Sequence, residues 1–196
     1  KVGGLADVVF GLSRELEIRG HAVEIILPKY DCMRDDQIWG LHAVDHELSV
    51  PWDGGSIPCT VWFGFAHGRK CYFIEPRSAQ AYFERGTYYG FWDDPQRFSF
   101  FSKAALEFLL KAGKRPEVIH THDWQTALAP VYLHMLPGGR ARSVVTVHNL
   151  AFQGLFGHAA LFELGLPDSA WHIDGVEYHG YLSFLKGGLQ HADWIT

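Results

Sequence analysis

A lysine and a pair of glycines open the chain directly before its first helical pattern. Lys1, Gly3 and Gly4 precede apolar residues that recur at helical spacing, at positions 9, 12 and 16. Glycine lets a ligand approach the backbone closely, the free N–H groups of a helix N-terminus attract an anion, and a lysine suits a phosphate. The pattern is neither a GxGxxG nor a Walker loop. It is typical of a phosphate-binding turn or of a tight turn beside a solvated lysine, and both interpretations remain open.

A second polar cluster, His120-Thr121-His122-Asp123-Trp124, stands where an apolar strand ends and a helix begins. Alternate residues of a strand face the same side, so His120 and His122 are expected to point together, next to Asp123. Three interpretations are open at this stage. The imidazoles and the carboxylate bind a metal ion, or Asp123 accepts hydrogen bonds from a hydroxylated substrate, or Asp123 caps the helix and the histidines bond to their neighbours.

A third polar segment runs from Thr146 to Gly154 and also leaves an apolar strand. Within it, His148 is suited to acid–base chemistry or hydrogen-bond donation, and the amide of Asn149 both donates and accepts. The carboxyl ends of parallel strands meet at one edge of a sheet, and ligands of open α/β sheets bind outside that edge. We therefore expect the second and third clusters to share one polar site.

Residues 80–93 form a loop rich in rings and charge, which includes Glu84, Arg85, Tyr88 and Tyr89. Flat aromatic faces and charged tips are a combination that suits a sugar, because the faces stack on C–H surfaces and the tips bind hydroxyls. The same composition is also typical of a hydrophobic loop folded onto its own domain.

Alternating helices and strands are expected to position these segments. The periodicity predicts a first helix that follows the Gly3-Gly4 turn and stops at Gly20, and further helices at 94–113, 125–136 and 181–190, with Asp94 as N-cap of the second. It predicts strands at 22–27, 118–119, 143–147 and from 194. Residues from about 41 to 75 alternate in short β-like runs, which predicts a small antiparallel excursion. Because several strands are apolar throughout, we expect an α/β fold with a Rossmann-like parallel sheet and helices on both faces.

The composition is that of a globular chain: of 196 residues, 47% are hydrophobic and 20% charged, with a formal net charge of −5. These values exclude a disordered chain and disfavour nucleic acid as a partner. No apolar run approaches the roughly 20 residues of a membrane-spanning helix. Cys32, Cys59 and Cys71 lack a CxxC spacing, as expected of reduced thiols in a cytosolic protein. Because the chain opens on Lys1 without a methionine, we expect a piece of a longer protein.

Five segments, in order along nearly the whole chain, resemble the N-terminal half of bacterial glycogen synthases and plant starch synthases, the family-5 glycosyltransferases. They are residues 1–8, the aromatic loop with Tyr89, and residues 120–124, 146–154 and 183–189. The K-x-G-G-L turn and the T-V-H-N-x-A-x-Q-G run are the most specific. The resemblance implies a GT-B fold, in which two Rossmann-like domains face each other across a cleft. Residues 1–196 would be a partial N-terminal domain containing the excursion at about 41–75, without the family's first strand and C-terminal domain.

The resemblance also implies roles for residues near the start of the chain. Lys1 would act in catalysis and, together with Gly3 and Gly4, would face the diphosphate of ADP-glucose. Asp7 and Tyr89 are similar to family positions that affect activity, and we expect both to contribute to substrate binding. The loop around Tyr89 departs from the pattern of bacterial synthases, since no proline separates Arg85 from the glycine that follows.

Further roles are implied at the two strand ends. Asp123 and His148 would be catalytic groups that line the glucosyl pocket, with Asn149 beside them. His148 would hold the hydroxymethyl end of the glucose and polarise the reacting centre. We expect His122 to be a substrate-binding residue of the same pocket.

The activity that the resemblance implies is the retaining transfer of glucose from ADP-glucose to the non-reducing end of an α-1,4-glucan, in glycogen or starch biosynthesis. No cofactor and no metal are expected, and the absence of a D-x-D motif agrees with a metal-independent enzyme. The expected partners are ADP-glucose, the glucan acceptor and the enzyme's own C-terminal domain, with no nucleic acid and no membrane. The location would be the bacterial cytoplasm, or the plastid stroma of a plant or alga.

Two rival functions stay open on the sequence. One is a metal-dependent hydrolase in which His120, His122 and His148 are ligands. The other is a non-catalytic glucan-binding module. Because catalysis across a cleft needs both walls, the isolated chain is expected to have little or no synthase activity.

Overall fold

The computed structural model describes residues 3–136 and 141–196. The chain divides into two compact units. Unit 1 comprises Lys1–Ser49 and Ile57–Tyr89, and unit 2 comprises Val50–Ser56 and Gly90–Thr196.

Unit 1 contains one helix and a four-stranded sheet. Its elements are α1 (Gly3–Ile18), β1 (Ile25–Pro28), β2 (Ile38–Trp52), β3 (Gly55–Ala66) and β4 (Arg69–Pro76), and a 3₁₀ turn at Asp35–Gln37 precedes β2. The end of β2 and the start of β3, within Val50–Ser56, are assigned to unit 2. The strand order is β1-β4-β3-β2. β1 and β4 are parallel, whereas β3 and β4 are antiparallel and joined by the two-residue turn at positions 67–68. The region of the predicted antiparallel excursion thus holds β2, β3 and β4.

The core of unit 1 lies between its sheet and α1. Ile25, Cys71 and Phe73 are buried on the sheet and pack with Ile38, and the α1 residue Phe10 covers them. Alternation along β4 places both Cys71 and Phe73 on this face.

Unit 2 begins with a long helix and a parallel βα unit. These elements are α2 (Asp94–Lys111), β5 (Val118–His122), α3 (Asp123–Thr126), α4 (Leu128–Met135) and β6 (Arg142–Thr146). The rest of the unit consists of β7 (Leu155–Phe156), α5 (Ala160–Glu163), β8 (Glu177–Tyr178), β9 (Tyr181–Ser183), α6 (Phe184–His191) and β10 (Trp194–Ile195). Another 3₁₀ turn, at Asp168–Ala170, follows α5.

The strands of unit 2 form two sheets. β10, β6 and β5 make a parallel sheet in that order, and β7, β9 and β8 make a small antiparallel one. The prediction of an α/β fold with parallel strands is confirmed. The parallel strands of the described residues are divided between two sheets, one in each unit.

Three details differ from the predictions. The N-cap of α2 is Asp93, not Asp94, because the amide of Arg97 bonds to the Asp93 carbonyl and so closes the first turn. The helix predicted at 125–136 starts at Asp123 and is interrupted at Ala127. Pro130 has no N–H to donate to the carbonyl four residues earlier, so the hydrogen-bond ladder breaks there.

The third difference concerns the helix predicted at 181–190. Its first three residues form β9, which pairs with both β7 and β8. The helix α6 begins after Ser183, whose hydroxyl accepts a hydrogen bond from the amide of Lys186 at 3.1 Å. This serine is therefore the N-cap that ends the strand and starts the helix.

Among the helices that the structure describes, none is long and apolar enough to cross a membrane.

Candidate active site

The two polar strand ends of unit 2 are neighbours. β5 and β6 are parallel and paired in a register that sets His122 opposite Thr146. The residues that follow each strand, Asp123 on one side and His148 on the other, therefore leave the sheet at the same edge. The structure brings together the second and third clusters of the sequence.

Asp123 ties the two strand ends to each other. Its Oδ1 atom accepts the backbone N–H of His148 at 2.7 Å and that of Asn149 at 3.3 Å. The residue has a φ of 58°, in the left-handed region that non-glycine residues seldom adopt. Such backbone strain costs about 1–3 kcal/mol and is found most often at functional sites. Within the described part of the chain, the second carboxylate oxygen has no hydrogen-bond partner, so it remains able to accept a hydroxyl.

Three imidazoles lie in a row beside this carboxylate. The His120 and His122 rings stack with centroids 4.3 Å apart and planes 23° from parallel. The His122 and His148 rings are 5.3 Å apart and 18° from parallel, and His122 Nδ1 lies 3.0 Å from His148 Nε2. At the far end of the row, His120 Nε2 lies 2.6 Å from the hydroxyl of Thr146.

Burial keeps the imidazoles of His120 and His122 uncharged. It lowers the pKa of His122 to about 4, and the neighbouring His120 and His148 add to this effect. Burial also lowers the pKa of His120, with a smaller contribution from His148. At neutral pH both rings are therefore hydrogen-bonding groups and not cations. Two neutral imidazoles in the same site as a carboxylate can bind sugar hydroxyls.

The loop after His148 is held by its own short hydrogen bonds. The side-chain oxygen of Asn149 accepts the amide of Ala151 at 2.9 Å, which forms a tight turn. This leaves the NH₂ group of Asn149 as the part of the side chain that can meet a ligand.

Gly154 ends this loop against Trp124. It has a φ of 61°, and a Cβ at this position would lie 2.5 Å from Trp124 Cε3. The Trp124 ring in turn contacts Phe98, Phe156 and Phe184, with centroids 5.3 to 5.8 Å away. The glycine of the T-V-H-N-x-A-x-Q-G run is thus needed so that the loop backbone can lie on this aromatic cluster.

Close packing also explains the two glycines of α6, Gly187 and Gly188. A Cβ on Gly188 would lie 2.6 Å from the carbonyl oxygen of Ala127, and one on Gly187 would lie 2.9 Å from Val176. Gly188 thus lets α6 pack directly against the backbone of Ala127, between α3 and α4, and Gly187 lets it pack against the Val176 side chain. This packing role was not predicted from the sequence. The signal that could have indicated it is the pair of glycines inside an amphipathic helix.

An open cleft of about 540 Å³ adjoins the loop. Its lining consists of Phe91, Asp94, Trp124, Tyr178 and residues 151–156, and five of these residues are aromatic, since Phe152 and Phe156 belong to the loop. The cleft therefore combines flat aromatic surfaces with polar groups, among them Asp94 and Gln153.

Comparison with known proteins identifies the family. The model of the starch synthase catalytic domain family matches residues 1–196. The chain belongs to the starch synthase catalytic domain family. Among its relatives, glycogen synthase 2 of Methylococcus capsulatus is 57% identical over 205 residues, covering 100% of this chain and 42% of the relative. Glycogen synthase 1 of a Synechococcus strain is 52% identical, again over 100% of this chain and 42% of the relative.

A solved structure of the starch synthase family has the same fold. The catalytic domain of starch synthase IV from Arabidopsis thaliana, bound to ADP and acarbose, superposes with a TM-score of 0.94 at 41% identity. The match covers 100% of this chain and 41% of that one. The fold of this chain is therefore that of part of a GT-B glycosyltransferase catalytic domain. The chain spans about two-fifths of the length of the relatives it matches.

The other site residues predicted from the starch synthase family lie in unit 1. Gly3 and Gly4 are the first two residues of α1, not a turn before it, and Asp7 lies on the same helix with an exposed side chain. A Cβ on Gly4 would meet nothing within 4 Å, so the described fold does not itself demand glycine there. Lys1 lies outside the described residues.

The two tyrosines of the aromatic loop differ in their surroundings. Tyr89 is 64% exposed, whereas the Tyr88 ring packs edge-on against Tyr30 with centroids 5.0 Å apart. The loop is fastened by the amide of Gly86, which donates to the carboxylate of Asp31 at 3.0 Å. Tyr89 is thus the more exposed of the two rings, and its role in substrate binding stays a prediction.

The interpretation of His120, His122 and His148 as metal ligands finds no support. In the described ranges, 3–136 and 141–196, no group of three or more histidine, cysteine or acidic residues is placed to hold a metal ion. His122 Nδ1 and His148 Nε2 instead face each other at hydrogen-bond distance, so neither nitrogen is directed at a common central point.

Proposed function

We propose that this chain supplies the glucose-binding wall of a glycogen or starch synthase. The full-length enzyme would transfer glucose from ADP-glucose to the non-reducing 4-hydroxyl of an α-1,4-glucan, with retention of configuration. The reaction would take place in the bacterial cytoplasm or, in a plant or alga, in the plastid stroma. Support comes from the family to which the chain belongs and from the polar site at the ends of β5 and β6.

The observation that carries the proposal is the contact between Asp123 and the loop that begins at His148. The carboxylate holds two consecutive amides of that loop, at 2.7 and 3.3 Å, and thereby fixes the backbone from which the His148 side chain extends. A carboxylate oxygen and a neighbouring imidazole can together bind adjacent hydroxyls of one hexose. In this arrangement His148 holds the hydroxymethyl end of the glucose, and the NH₂ group of Asn149 and the neutral His122 complete the polar wall.

The chemical difficulty of the reaction is charge. A positive oxocarbenium-like centre forms at the sugar while a diphosphate leaves, so preorganised groups aimed at those charges lower the barrier. We propose that Lys1, Gly3 and Gly4 face the departing diphosphate, since a lysine and a helix N-terminus both favour an anion. Asp7 and Tyr89 would bind other parts of the substrates. Cationic groups of the C-terminal domain would complete the site, and no metal or cofactor takes part.

The proposal is tested by assaying glucose incorporation into glycogen with the full-length enzyme and labelled ADP-glucose. His148→Ala is expected to lower kcat by about a hundredfold or more, because a group acting on the transition state is lost. The control is His21→Ala, an exposed histidine outside the site. Full activity of the His148 variant would refute the role of the site. A stoichiometric zinc ion that is lost together with activity on chelation would instead support the hydrolase.

The isolated 196-residue chain provides a second test. Reacting groups must be held in register by both walls of a cleft, so one wall alone loses most of the rate acceleration. We expect no measurable transfer from labelled ADP-glucose by this chain. Robust transfer would show that residues 1–196 are sufficient for catalysis and would contradict the requirement for a second domain.

A further inference from the structure

We propose that His120 and Thr146 are positioning residues, which hold the ring of His122 and through it orient His148 towards the substrate. The inference rests on the proposed function, because it assigns how the imidazole of His148 is kept in place. Neither His120 nor Thr146 has a role in the function proposed above.

The positioning group is a continuous row of contacts within unit 2. The Thr146 hydroxyl lies 2.6 Å from His120 Nε2 and 2.5 Å from the hydroxyl of Thr196. The His120 ring stacks on His122 at 4.3 Å, and His122 Nδ1 reaches His148 Nε2 at 3.0 Å. Each contact depends on the previous one for its geometry, since a ring that is stacked and hydrogen-bonded at its edge cannot turn freely.

The contact between His122 Nδ1 and His148 Nε2 decides which atom of His148 faces the substrate. A hydrogen bond between two imidazole nitrogens holds one proton, with one nitrogen donating and the other accepting. Because His148 Nε2 is committed to His122 Nδ1, the nitrogen left for the glucose is Nδ1 of His148. Within the described residues, His148 Nδ1 has no other partner. Rotation of the His122 ring would release His148 Nε2 and with it this orientation.

Burial makes the row suitable for this purpose. His120 and His122 are both partly buried, and burial lowers the pKa of each, so the stacked rings do not repel each other as two cations would. Neutral imidazole also offers one accepting nitrogen, which a protonated ring lacks. The Thr146 hydroxyl thus has a stable partner at neutral pH.

The alternation of β5 provides an internal control. Thr121 lies between the two histidines but faces the other side of the strand, where it is buried and its hydroxyl donates to the carbonyl of Val144 at 3.2 Å. A change there removes a threonine hydroxyl from the same pair of strands without touching the row of rings.

The first experiment compares Thr146→Val, Thr146→Ser and Thr121→Val in the full-length enzyme. Valine keeps the branched shape and removes the hydroxyl, whereas serine keeps the hydroxyl. We expect Thr146→Val to lower kcat about tenfold with less than a twofold change in the KM for ADP-glucose, because misorienting a group near the reacting atoms costs up to about a hundredfold. Thr146→Ser and Thr121→Val should stay within twofold of wild type. Equal kcat values for both Thr146 variants would overturn the proposal.

A second experiment asks whether the hydroxyl acts through His122. In a His122→Ala background the row is already interrupted, so adding Thr146→Val should cause no further loss of kcat. An additive tenfold loss would show that Thr146 acts by another route and would overturn the proposal.

A third readout does not depend on activity. In the histidine-labelled full-length enzyme, the ¹⁵N resonance of His148 Nε2 should shift in Thr146→Val and remain unchanged in Thr146→Ser and Thr121→Val. If the His148 Nε2 resonance is unchanged in Thr146→Val, the positioning role of Thr146 is overturned. This outcome does not depend on which substrate the enzyme uses. An inactive wild type with the expected shift refutes the proposed function alone.

Discussion

Substituting alanine for Gly154 adds one methyl group at the point where the loop that follows His148 rests on the aromatic cluster around Trp124. The added Cβ would lie 2.5 Å from Trp124 Cε3 and 3.1 Å from Phe184 Cβ, whereas ordinary carbon contacts are about 3.5–4.0 Å. The backbone at this position has a φ of 61°, which alanine also disfavours. Two separate costs therefore combine at a single residue.

The size of the effect follows from the two costs. A left-handed alanine costs about 1–2 kcal/mol, and forcing a methyl group into a packed cluster costs about 1–3 kcal/mol. We therefore expect Gly154→Ala to destabilise the fold by roughly 2–5 kcal/mol. Because Trp124 directly follows Asp123, displacement of its ring should also lower kcat. Calorimetric unfolding of the full-length enzyme measures the first effect, and the glucan synthesis assay measures the second.

Two other glycines separate these costs. Gly180 has a φ of 82° and nothing within 4 Å of a Cβ, so Gly180→Ala should show only the backbone cost of about 1–2 kcal/mol. Gly157 has neither feature, and Gly157→Ala should change stability by less than about 0.5 kcal/mol. If Gly154→Ala is no more destabilising than Gly180→Ala, the contact with Trp124 is not tight and the reasoning is refuted.

Three further outcomes are expected. Asp123→Asn should change the free energy of unfolding by less than about 0.5 kcal/mol, since asparagine tolerates a left-handed backbone and keeps an accepting oxygen. Its kcat should nevertheless fall about tenfold or more, because the negative charge is lost. Activity equal to that of the wild type would contradict a catalytic role of the carboxylate. In urea titrations, stability should fall as the pH drops from 6.5 to about 4, by up to about 1.4 kcal/mol per unit. Over this interval His122 binds a proton in the unfolded chain but not in the folded one. A His122→Gln variant should therefore lose less stability as the pH falls. At pH 8 a thiol reagent should modify Cys32 first by peptide mass spectrometry, because burial raises the pKa of Cys59 to about 12 and of Cys71 to about 11.

Much of the local structure could be predicted because it depends on neighbours in the sequence. Helical spacing of apolar residues located α1 and α2, and apolar runs located β1, β5 and β6. The two-residue period of a strand was enough to predict that His120 and His122 share one face of β5. Predictions at element ends were less successful, because the ends depend on partners elsewhere: β9 exists only through its pairing with β7 and β8.

The amino-acid sequence by itself determined the parallel α/β class and the two polar strand ends. It also contains the family motifs from which the site residues were predicted. Only the tertiary structure decided that His122 meets His148, that Asp123 adopts a left-handed backbone to hold the loop, and that Gly154 lies against Trp124. The physical reason is range. Periodicity reports the face on which a side chain lies, whereas the contacts of the site depend on the register between β5 and β6 and on glycines whose close neighbours are distant in sequence.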